Sequence, residues 1–252
     1  MPALDMTRTA RASTVILAAT LLGACASVPA EQRAASDPWE PLNRTLFDVN
    51  TAIDKVTLKP IAKGYQAIIP SPVRTGISNF YSNLATPGSA VNNVLQGKPK
   101  RGLSELTRFL FNSTMGLGGI LDVATAGGLE AYREDIGQTV AVWGVPAGPY
   151  VMLPFLGPST LRDALLFPIE AITPLYYYEN TSVRDKLQVL RIIDLRSRLL
   201  VTEKFLEDSK DPYITLRESY LQNREYVIYD GNPPEDDAFF DELMDDGGFD
   251  QD

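Results

Sequence analysis

The single cysteine of this 252-residue chain lies where a bacterial lipid anchor would be attached. Cys25 ends the run Leu-Gly-Ala-Cys, which follows the basic residues Arg8 and Arg11 and an apolar stretch over residues 13–24. A basic flank, a short apolar core and small residues form an export signal. Cleavage before Cys25 would leave a thiol and an amine that can both be acylated. Each buried CH₂ of an acyl chain contributes about 0.8 kcal/mol to the free energy of membrane binding. The sequence therefore predicts lipid attachment at Cys25; the alternative is a cysteine buried in an N-terminal helix.

The predicted anchor divides the chain into four segments. Residues 1–24 are predicted to be a lipoprotein signal peptide, 25–36 a lipidated tether, 37–229 a helical domain and 230–252 an acidic disordered tail. Alanine follows the cysteine, which favours the outer membrane, since an aspartate there would favour retention at the inner one. No run of 18 apolar residues follows Cys25, so no simple spanning helix is predicted.

Histidine is absent from the chain, which limits the chemistry that the protein can perform. Its absence excludes Ser–His–Asp and Cys–His catalysis, imidazole general bases and histidine metal sites. An enzyme would depend on carboxylates, lysine or tyrosine, and a single cysteine cannot form an internal disulfide. We therefore predict no enzymatic activity, no metal site and no cofactor.

Two short motifs could still belong to a catalytic or binding site. The glycine-rich run 116–119 lacks the Lys-Ser/Thr of a phosphate-binding loop, so it predicts a packing turn. The acids Glu130, Glu134 and Asp135 could include a carboxylate pair for glycoside chemistry. In a polar loop such acids are expected to be solvated, and we favour that interpretation.

The net charge of −9 is concentrated at the C-terminal end. Residues 230–252 hold ten of the 32 acids and no base, which leaves 22 acids against 23 bases in residues 1–229. A nearly neutral body lacks the basic footprint of a nucleic-acid-binding protein. The tail is predicted to be a solvating segment; a docking segment is the alternative.

Helix starts are marked by a capping residue followed by proline. The side-chain oxygen accepts from an orphan N–H, and proline at the first helical position has no N–H to lose. This device occurs at Asp37-Pro38, Ser71-Pro72, Thr86-Pro87 and Asp211-Pro212. The first of these helices is expected to start somewhat later than Asp37, Gly97 is predicted to end a helix, and Ser159 is predicted to cap another.

Alternating strand patterns are scarce, so the fold is predicted to be all-α with at most one short hairpin. Residues 140–143 and 150–153 are the candidate strands, flanking a turn from Gly144 to Gly148. Residues 182–208 carry two apolar stripes on one helix, one with Leu187, Leu190 and Ile193, the other with Ile192, Leu195 and Leu199. Such a helix needs two apolar partners: either two layers of core, or core on one side and lipid on the other.

The most lipid-like stretch runs over residues 150–178. It contains Phe155, the run 165–167 and three adjacent tyrosines at 176–178, and its prolines keep any helix short. Amphipathic aromatic residues favour a membrane interface. Burial in a core is the alternative, although it explains three adjacent tyrosines less well.

Taken together, these segments resemble the MlaA (VacJ) family of outer-membrane lipoproteins over residues 37–229. Many short motifs in one order carry the resemblance, and they cover most of the predicted mature chain. They are the runs 37–44, 83–84 with Pro87, 92–97, 108–109, 112–116, 118–119 with Asp122, 137–139, 143–144, 148–150, 153–154, 157–159, 162–163, 211–213 and 220–222.

The resemblance implies a ring-shaped bundle of amphipathic helices embedded in the Gram-negative outer membrane from its periplasmic side. Such proteins remove misplaced phospholipid from the outer leaflet through an amphipathic channel, which maintains lipid asymmetry. The soluble periplasmic carrier MlaC receives the lipid and the inner-membrane complex MlaFEDB follows it, while trimeric porins associate with family members. The resemblance also implies a flexible hairpin, with Gly144 and Gly148 as candidate hinge residues.

Four polar residues in apolar helical surroundings are candidates for channel lining: Arg108, Asn112, Arg162 and Asp163. A structural salt bridge or cap is the alternative for each, and a local salt bridge is expected between Arg162 and Asp163. We favour phospholipid transport. The rivals are a structural lipoprotein that scaffolds porins and a peptidoglycan hydrolase that depends on two facing carboxylates.

Overall fold

A computed structural model describes residues 36–170, 175 and 178–234. Cys25, the predicted signal peptide and residues 176–177 lie outside the described residues, as do the tether up to residue 35 and the tail from residue 235. The helices are α1 (Glu40–Val56), α2 (Leu58–Ile68), α3 (Ser71–Leu95), α4 (Pro99–Thr114), α5 (Val123–Ala126), α6 (Ile136–Val142), α7 (Leu161–Glu170), α8 (Thr181–Glu207) and α9 (Pro212–Ile228). The strands β1 (Tyr150–Leu153) and β2 (Gly157–Thr160) form one antiparallel hairpin, which confirms the all-α prediction.

The helices contact one another in a closed circuit. From α1 the contacts run to α2, then to α8, α3, α6 and α7, and the hairpin returns the circuit to α1. The long helix α9 packs on α6, α8 and β2, while α4 lies along α3. The ring expected from the resemblance is confirmed.

The helices turn their polar faces inward. On α4, Glu105, Arg108 and Asn112 are buried, whereas Leu103 and Leu110 are 66% and 61% exposed. Buried polar and charged side chains outnumber buried apolar ones among the described residues. A protein surrounded by water normally buries its apolar faces, so this surface is suited to an apolar environment.

Helix α8 resolves the two alternatives for its apolar stripes. Leu187, Leu190 and Ile193 are half-buried, whereas the second stripe is half exposed, with Ile192 at 50% and Leu199 at 51%. Two layers of core are therefore excluded for this part of the described chain. One side packs on the ring and the other remains uncovered.

The predicted helix start at Thr86-Pro87 is wrong, because α3 continues from Ser71 to Leu95 with Pro87 inside it. Proline removes one backbone hydrogen bond from the helix, but the packing of α3 against α4 along its length outweighs the loss of that bond. Ser71 is the first helical residue and does not serve as the cap, since Pro70 takes that position.

The C-terminal stop of α3 at Gly97 is confirmed. Gly97 has φ of 77°, and its N–H donates to the Val94 carbonyl oxygen at 3.0 Å. The Lys98 N–H donates to the Asn93 carbonyl oxygen at 2.8 Å. This pair of bonds is a Schellman motif, and it needs a residue that tolerates positive φ.

Two other helix starts agree with the sequence. The Asp211 carboxylate accepts from the backbone N–H groups of Tyr213 and Ile214 at 3.1 and 3.2 Å, and Pro212 is the first residue of α9. Helix α1 begins at Glu40, later than Asp37, as predicted. Ser159 is a wrong prediction: it lies in β2, and the hydroxyl of its neighbour Thr160 accepts from the third backbone N–H of α7.

The first predicted strand, residues 140–143, is also wrong, because Ile136–Val142 form α6. The Asp135 side chain accepts from the Gln138 N–H at 2.7 Å, and the Gln138 side chain accepts from the Asp135 N–H at 3.0 Å. This capping box nucleates a helix that the apolar alternation alone did not predict. The true partner of β1 is β2, and Pro154–Leu156 connect them.

Gly144 and Gly148 therefore lie in the connection between α6 and β1, and not in the turn of the β-hairpin. Their φ angles of 92° and 68° are readily accessible to glycine. Within the hairpin turn itself, Phe155 has φ of 64°. A hinge function for the two glycines stays a prediction.

Candidate functional site

A polar cavity of about 350 Å³ lies between α3, α4 and α8. Its walls combine amides, hydroxyls and charged side chains. The lining residues are Asn79, Tyr81, Ser82, Asn83, Ala85, Thr86, Ser89, Glu105, Arg108, Asn112, Asp122, Ala131, Arg133, Arg191, Leu195 and Arg198.

Two of the predicted channel-lining residues, Arg108 and Asn112, meet on one wall of this cavity. Arg108 Nη2 donates to both oxygens of Asp122 at 3.2 Å, and Arg108 Nη1 donates to the Leu129 carbonyl. Asn112 Nδ2 donates to Asp122 Oδ1 at 3.0 Å, and Asn112 Oδ1 accepts from the Ala124 N–H at 2.9 Å. Both side chains thus fasten α4 to the segment that follows it.

Asp122 is held in its charged form at this wall. Burial acts to raise its pKa, but hydrogen bonds from Thr125 and Asn112 and the charge of Arg108 outweigh burial, so the pKa lies below its ordinary value. Glu105 behaves in the opposite way, because burial raises its pKa against a hydrogen bond from the Tyr132 N–H and the charge of Arg108.

Sequence reasoning missed Glu105 as a lining residue. Glu105, Arg108 and Asn112 recur at positions i, i+3 and i+7, so they share one face of α4 between exposed leucines. This polar stripe was a usable signal. It was missed because polar helix faces are normally assigned to solvent.

Three further arginines line the same cavity, and the sequence analysis named none of them as candidates. Arg191 and Arg198 are two turns apart on α8, while Arg133 follows α5 in a loop and donates to Ser82 Oγ at 3.3 Å. Arg198 Nε lies 3.4 Å from Asp194 Oδ2. The three arginines come together only because α8 packs on α3, and no local sequence pattern predicts that packing.

An apolar groove of about 450 Å³ adjoins the polar cavity, and Tyr81 lines both. Tyr81 Oη donates to the Leu187 carbonyl oxygen at 2.6 Å, which joins α3 to α8 at the boundary. Burial raises the pKa of this hydroxyl, so it remains a donor. The other lining residues are Pro72, Val73, Gly76, Ile77, Phe80, Ile120, Leu187 and Leu190.

The wall of this groove depends on a close approach at Gly76. A Cβ atom there would lie 2.9 Å from Ile120 Cγ2, so a larger residue would displace the isoleucine. The loop that carries Ile120 is also tied to α3 by Asn79 Nδ2, which donates to the Ile120 carbonyl oxygen at 3.1 Å. The wall of the groove that is formed by α3 and the loop with Ile120 is therefore held in place by these contacts.

The other two predicted channel-lining residues, Arg162 and Asp163, do not line this cavity. Arg162 Nε donates to Asp163 Oδ1 at 2.9 Å, which confirms the expected local salt bridge. Arg224 Nε donates to Asp163 Oδ2 at 2.7 Å, and Arg224 also donates to both oxygens of Asp135. This buried network joins α6, α7 and α9.

The network keeps Asp163 ionised. Burial acts to raise its pKa, but the hydrogen bond from Arg162 and the charge of Arg224 outweigh burial and lower it. Gly137 is packed against Arg224 and Asp163 so closely that a side chain there would collide with both. A channel-lining function for Arg162 and Asp163 stays a prediction.

The acids expected to be solvated have different environments. Glu130 is exposed, but Glu134 is buried, and its carboxylate accepts from Gln96, Gln138 and Lys98. The expectation for Glu134 was wrong, because the fold brings α3 and α6 against its loop. No cluster of three or more potential carboxylate or cysteine metal ligands occurs in the described part of the chain.

The lipid-like stretch carries strongly exposed apolar side chains. Phe155 is 75% exposed and Leu165 is 72% exposed, while Leu166 between Leu165 and Phe167 is half-buried. Within the run 165–167, Leu165 and Phe167 are therefore more exposed than Leu166, and contact of this run with lipid stays a prediction. None of the described helices is long and apolar enough to cross a membrane.

Comparisons with known proteins agree with this architecture. A family model described as MlaA lipoprotein matches residues 35–227. The intermembrane phospholipid transport system lipoproteins MlaA of Shigella flexneri and Escherichia coli are 37% and 36% identical over 225 residues, which is 88% of this chain and 90% of each relative.

A solved chain from work described as "Structural basis for maintenance of bacterial outer membrane lipid asymmetry" superposes with a TM-score of 0.68 at 38% identity, covering 77% of this chain and 99% of that one. The MlaA of Haemophilus influenzae is 31% identical over 227 residues, covering 86% of this chain and 90% of the relative. The match therefore spans the helical ring as well as the sequence motifs. This chain belongs to the MlaA lipoprotein family.

Proposed function

We propose that this protein removes misplaced phospholipid from the outer leaflet of the outer membrane and passes it inward to a periplasmic carrier. The single observation that carries the proposal is the polar cavity and the apolar groove meeting at Tyr81. A phospholipid has a charged headgroup and apolar acyl chains, and the two chambers match these two parts. The names of the relatives as phospholipid transport lipoproteins support the same assignment.

The physical benefit of such a passage is the protection of the headgroup. A polar group moved unaided through the acyl region costs several kcal/mol, because it loses its hydrogen bonds to water. Asn83, whose side-chain oxygen has no hydrogen bond among the described residues, offers a replacement partner on the cavity wall. The exposed leucines of α4 would contact acyl chains of the membrane on the opposite side of the same helix.

The anchor and the partners complete the proposal. Acylation at Cys25 would hold the ring at the outer membrane, embedded from the periplasmic side. A soluble carrier of the MlaC type would receive the lipid, and a trimeric porin would serve as a membrane partner. The proposal involves no covalent step.

The proposal is tested by closing the cavity. In a strain that lacks the native gene, the wild-type chain should restore low outer-leaflet phospholipid and resistance to SDS with EDTA. Ala85→Trp should fail to restore them, because Ala85 lines the cavity and an indole would fill its entrance. Ala67→Trp, at an exposed position of α2, is the matched control and should restore both.

Normal outer-leaflet phospholipid in the deletion strain would contradict the proposal. Unchanged abundance and trimer assembly of the porins in that strain would in addition argue against the scaffold rival. Purified protein should hydrolyse neither phospholipid nor peptidoglycan; turnover that disappears in Glu105→Gln would instead favour a carboxylate enzyme.

A further inference from the structure

The polar cavity carries an excess of positive charge. Among the described residues that line it, four arginines accompany two carboxylates. The arginines are Arg108, Arg133, Arg191 and Arg198, and the carboxylates are Glu105 and Asp122. A cavity of this composition favours an anionic occupant, because walls with one net sign of charge raise the local concentration of ions of the opposite sign.

Both carboxylates of the cavity are already engaged. Glu105 Oε1 accepts from the Tyr132 N–H at 2.7 Å and lies 3.8 Å from Arg108 Nε. Asp122 accepts from Arg108 and Asn112, and its Oδ2 accepts from Thr125 Oγ1 at 2.6 Å. A headgroup ammonium entering the cavity would therefore meet carboxylates whose charge is already partly balanced by Arg108.

The arginines at the edge of the cavity are much less neutralised than Arg108. Arg133 and Arg191 form no ion pair with another described residue, and both are exposed. Arg198 is paired with Asp194 at 3.4 Å, but its side chain remains 50% exposed. Guanidinium groups offer several N–H donors in a planar fork, which suits the non-bridging oxygens of a phosphodiester.

Asn83 adds a polar group that lacks a partner. Asn83 is 4% exposed, and its Nδ2 donates to Ser113 Oγ at 2.9 Å. Its Oδ1 is buried without a hydrogen bond among the described residues. Leaving a buried acceptor unsatisfied costs about 1–3 kcal/mol. A headgroup hydroxyl or ammonium could satisfy it, so Asn83 helps to hold a headgroup but does not select its charge.

We infer that the cavity prefers phospholipids whose headgroup carries a net negative charge, of the phosphatidylglycerol class, over zwitterionic phosphatidylethanolamine. The phosphodiester lies at Arg133, Arg191 and Arg198, and the acyl chains lie toward the apolar groove beyond Tyr81. This inference rests on the proposed function. It adds a preference for headgroups of one charge, and this preference comes from Arg133, Arg191 and Arg198, which phospholipid transport as such does not require.

The test measures which lipids copurify with the full-length acylated protein from membranes of known phospholipid composition. Wild-type protein should carry about fivefold more phosphatidylglycerol, relative to phosphatidylethanolamine, than the membrane does; an exposed charge contact of about 1 kcal/mol gives that ratio. The double variant Arg191→Gln/Arg198→Gln should carry the two lipids in the membrane's own ratio. Arg184→Gln is the matched control, since Arg184 is on the same helix but pairs with Asp185 at 3.1 Å outside the cavity.

A second variant protects the test against misfolding of α8. Arg133→Gln removes a charge from a loop on the other side of the cavity and should lower the enrichment by itself. Enrichment that persists in both variants, or a wild-type ratio equal to that of the membrane, would overturn the inference while leaving lipid transport intact. Absence of any copurified phospholipid would instead contradict the proposed function.

A free anion is distinguished by a separate arm of the experiment. Inorganic phosphate is titrated into the purified protein, and binding is followed by calorimetry. Phosphate binding that depends on Arg191 and Arg198, together with a lipid ratio that does not, would assign the arginines to a soluble anion and overturn the lipid assignment. Lipid enrichment that depends on the arginines, without phosphate binding, supports it.

Discussion

Asn43 and Asn50 lie two turns apart on α1, and each uses both ends of its side-chain amide to bind backbone groups of β1 or of the turn that follows it. Asn43 Nδ2 donates to the Tyr150 carbonyl oxygen at 3.1 Å, and Asn43 Oδ1 accepts from the Met152 N–H at 2.9 Å. Asn50 does the same with the Leu153 carbonyl oxygen and the Phe155 N–H, both at 2.9 Å. Helix α1 therefore takes the place of a third strand.

The spacing explains why one helix can pair with one strand edge. Seven residues of helix advance about 10 Å at 1.5 Å per residue, and three residues of strand advance about 10 Å at 3.3 Å per residue. The two asparagines thus reach backbone groups a matching distance apart, one pair within β1 and the other at its end and in the following turn. Covering an edge in this way also removes the exposed backbone groups that promote aggregation.

The first prediction concerns the stability of this hairpin. Asn43→Ala should lower the free energy of unfolding by about 2–4 kcal/mol, because it leaves two buried backbone groups unpaired. Thermal unfolding followed by circular dichroism measures the loss, and hydrogen exchange should show less protection at Met152. Asn223→Ala, at an exposed position of α9, should unfold at the wild-type temperature. Equal midpoints for all three proteins would show that the asparagine clamp contributes nothing.

The second prediction concerns the buried network at Asp163. Asp163→Asn should destabilise the fold by about 3–5 kcal/mol at neutral pH, because Arg162 and Arg224 lose a buried counter-charge. The pKa of this carboxyl is lower in the folded protein than its ordinary value of 3.8. Its contribution is therefore present above that value and is lost as the pH falls through the lowered folded pKa. Denaturant unfolding of both proteins from pH 7 to pH 3 should show that the difference between their free energies of unfolding shrinks. A difference that grows on acidification would contradict a stabilising, ionised Asp163.

The third prediction concerns the outward apolar surface. Leu165→Cys should react with a membrane-impermeant maleimide at least about tenfold more slowly in intact membranes than Gln222→Cys, since thiolate formation is disfavoured in apolar surroundings. Both positions are exposed on the protein itself, so protection at Leu165 reports the lipid and not the fold. The native Cys25 does not interfere if it is acylated. Equal labelling at the two positions would place Leu165 in water.

The fourth prediction concerns the anchor. Cys25→Ala should abolish incorporation of labelled palmitate and leave the precursor uncleaved by the lipoprotein signal peptidase. Electrophoresis after metabolic labelling measures both effects, with Ala26→Ser as the control that retains the cysteine. Palmitate incorporation at the wild-type level in Cys25→Ala would identify a different attachment site.

The fifth prediction concerns the acidic tail. Truncation after residue 234 should change the melting temperature by less than a few degrees, because an acidic segment with Gly and Pro buries little apolar surface. Asp230, the first tail residue, must be kept, since it pairs with Lys98 and Arg101 at 2.7 and 2.6 Å. Asp230→Asn should cost up to about 1 kcal/mol. A larger loss from the truncation than from Asp230→Asn would show that the tail packs on the domain.

Local chemistry was sufficient for several features of this protein. The cap of α9 at Asp211, the stop of α3 at Gly97 and the all-α class each depend on residues close together in sequence. Errors arose where two local signals competed. Pro87 has the sequence context of a helix start, but it lies inside α3. The alternation at 140–143 is typical of a strand, but the capping box at Asp135 starts a helix there.

The candidate site was decided by tertiary structure. Periodicity on α4 separates Arg108 from Leu110, but it does not say which face turns inward, because that depends on whether water or lipid surrounds the ring. Likewise Arg133, Arg191 and Arg198 belong to two distant segments, and no local pattern places them around one cavity. The sequence determined the faces of the helices and predicts the anchor at Cys25. The closing of the ring determined which faces meet, since packing between distant helices is settled by long-range contacts and by the surrounding solvent.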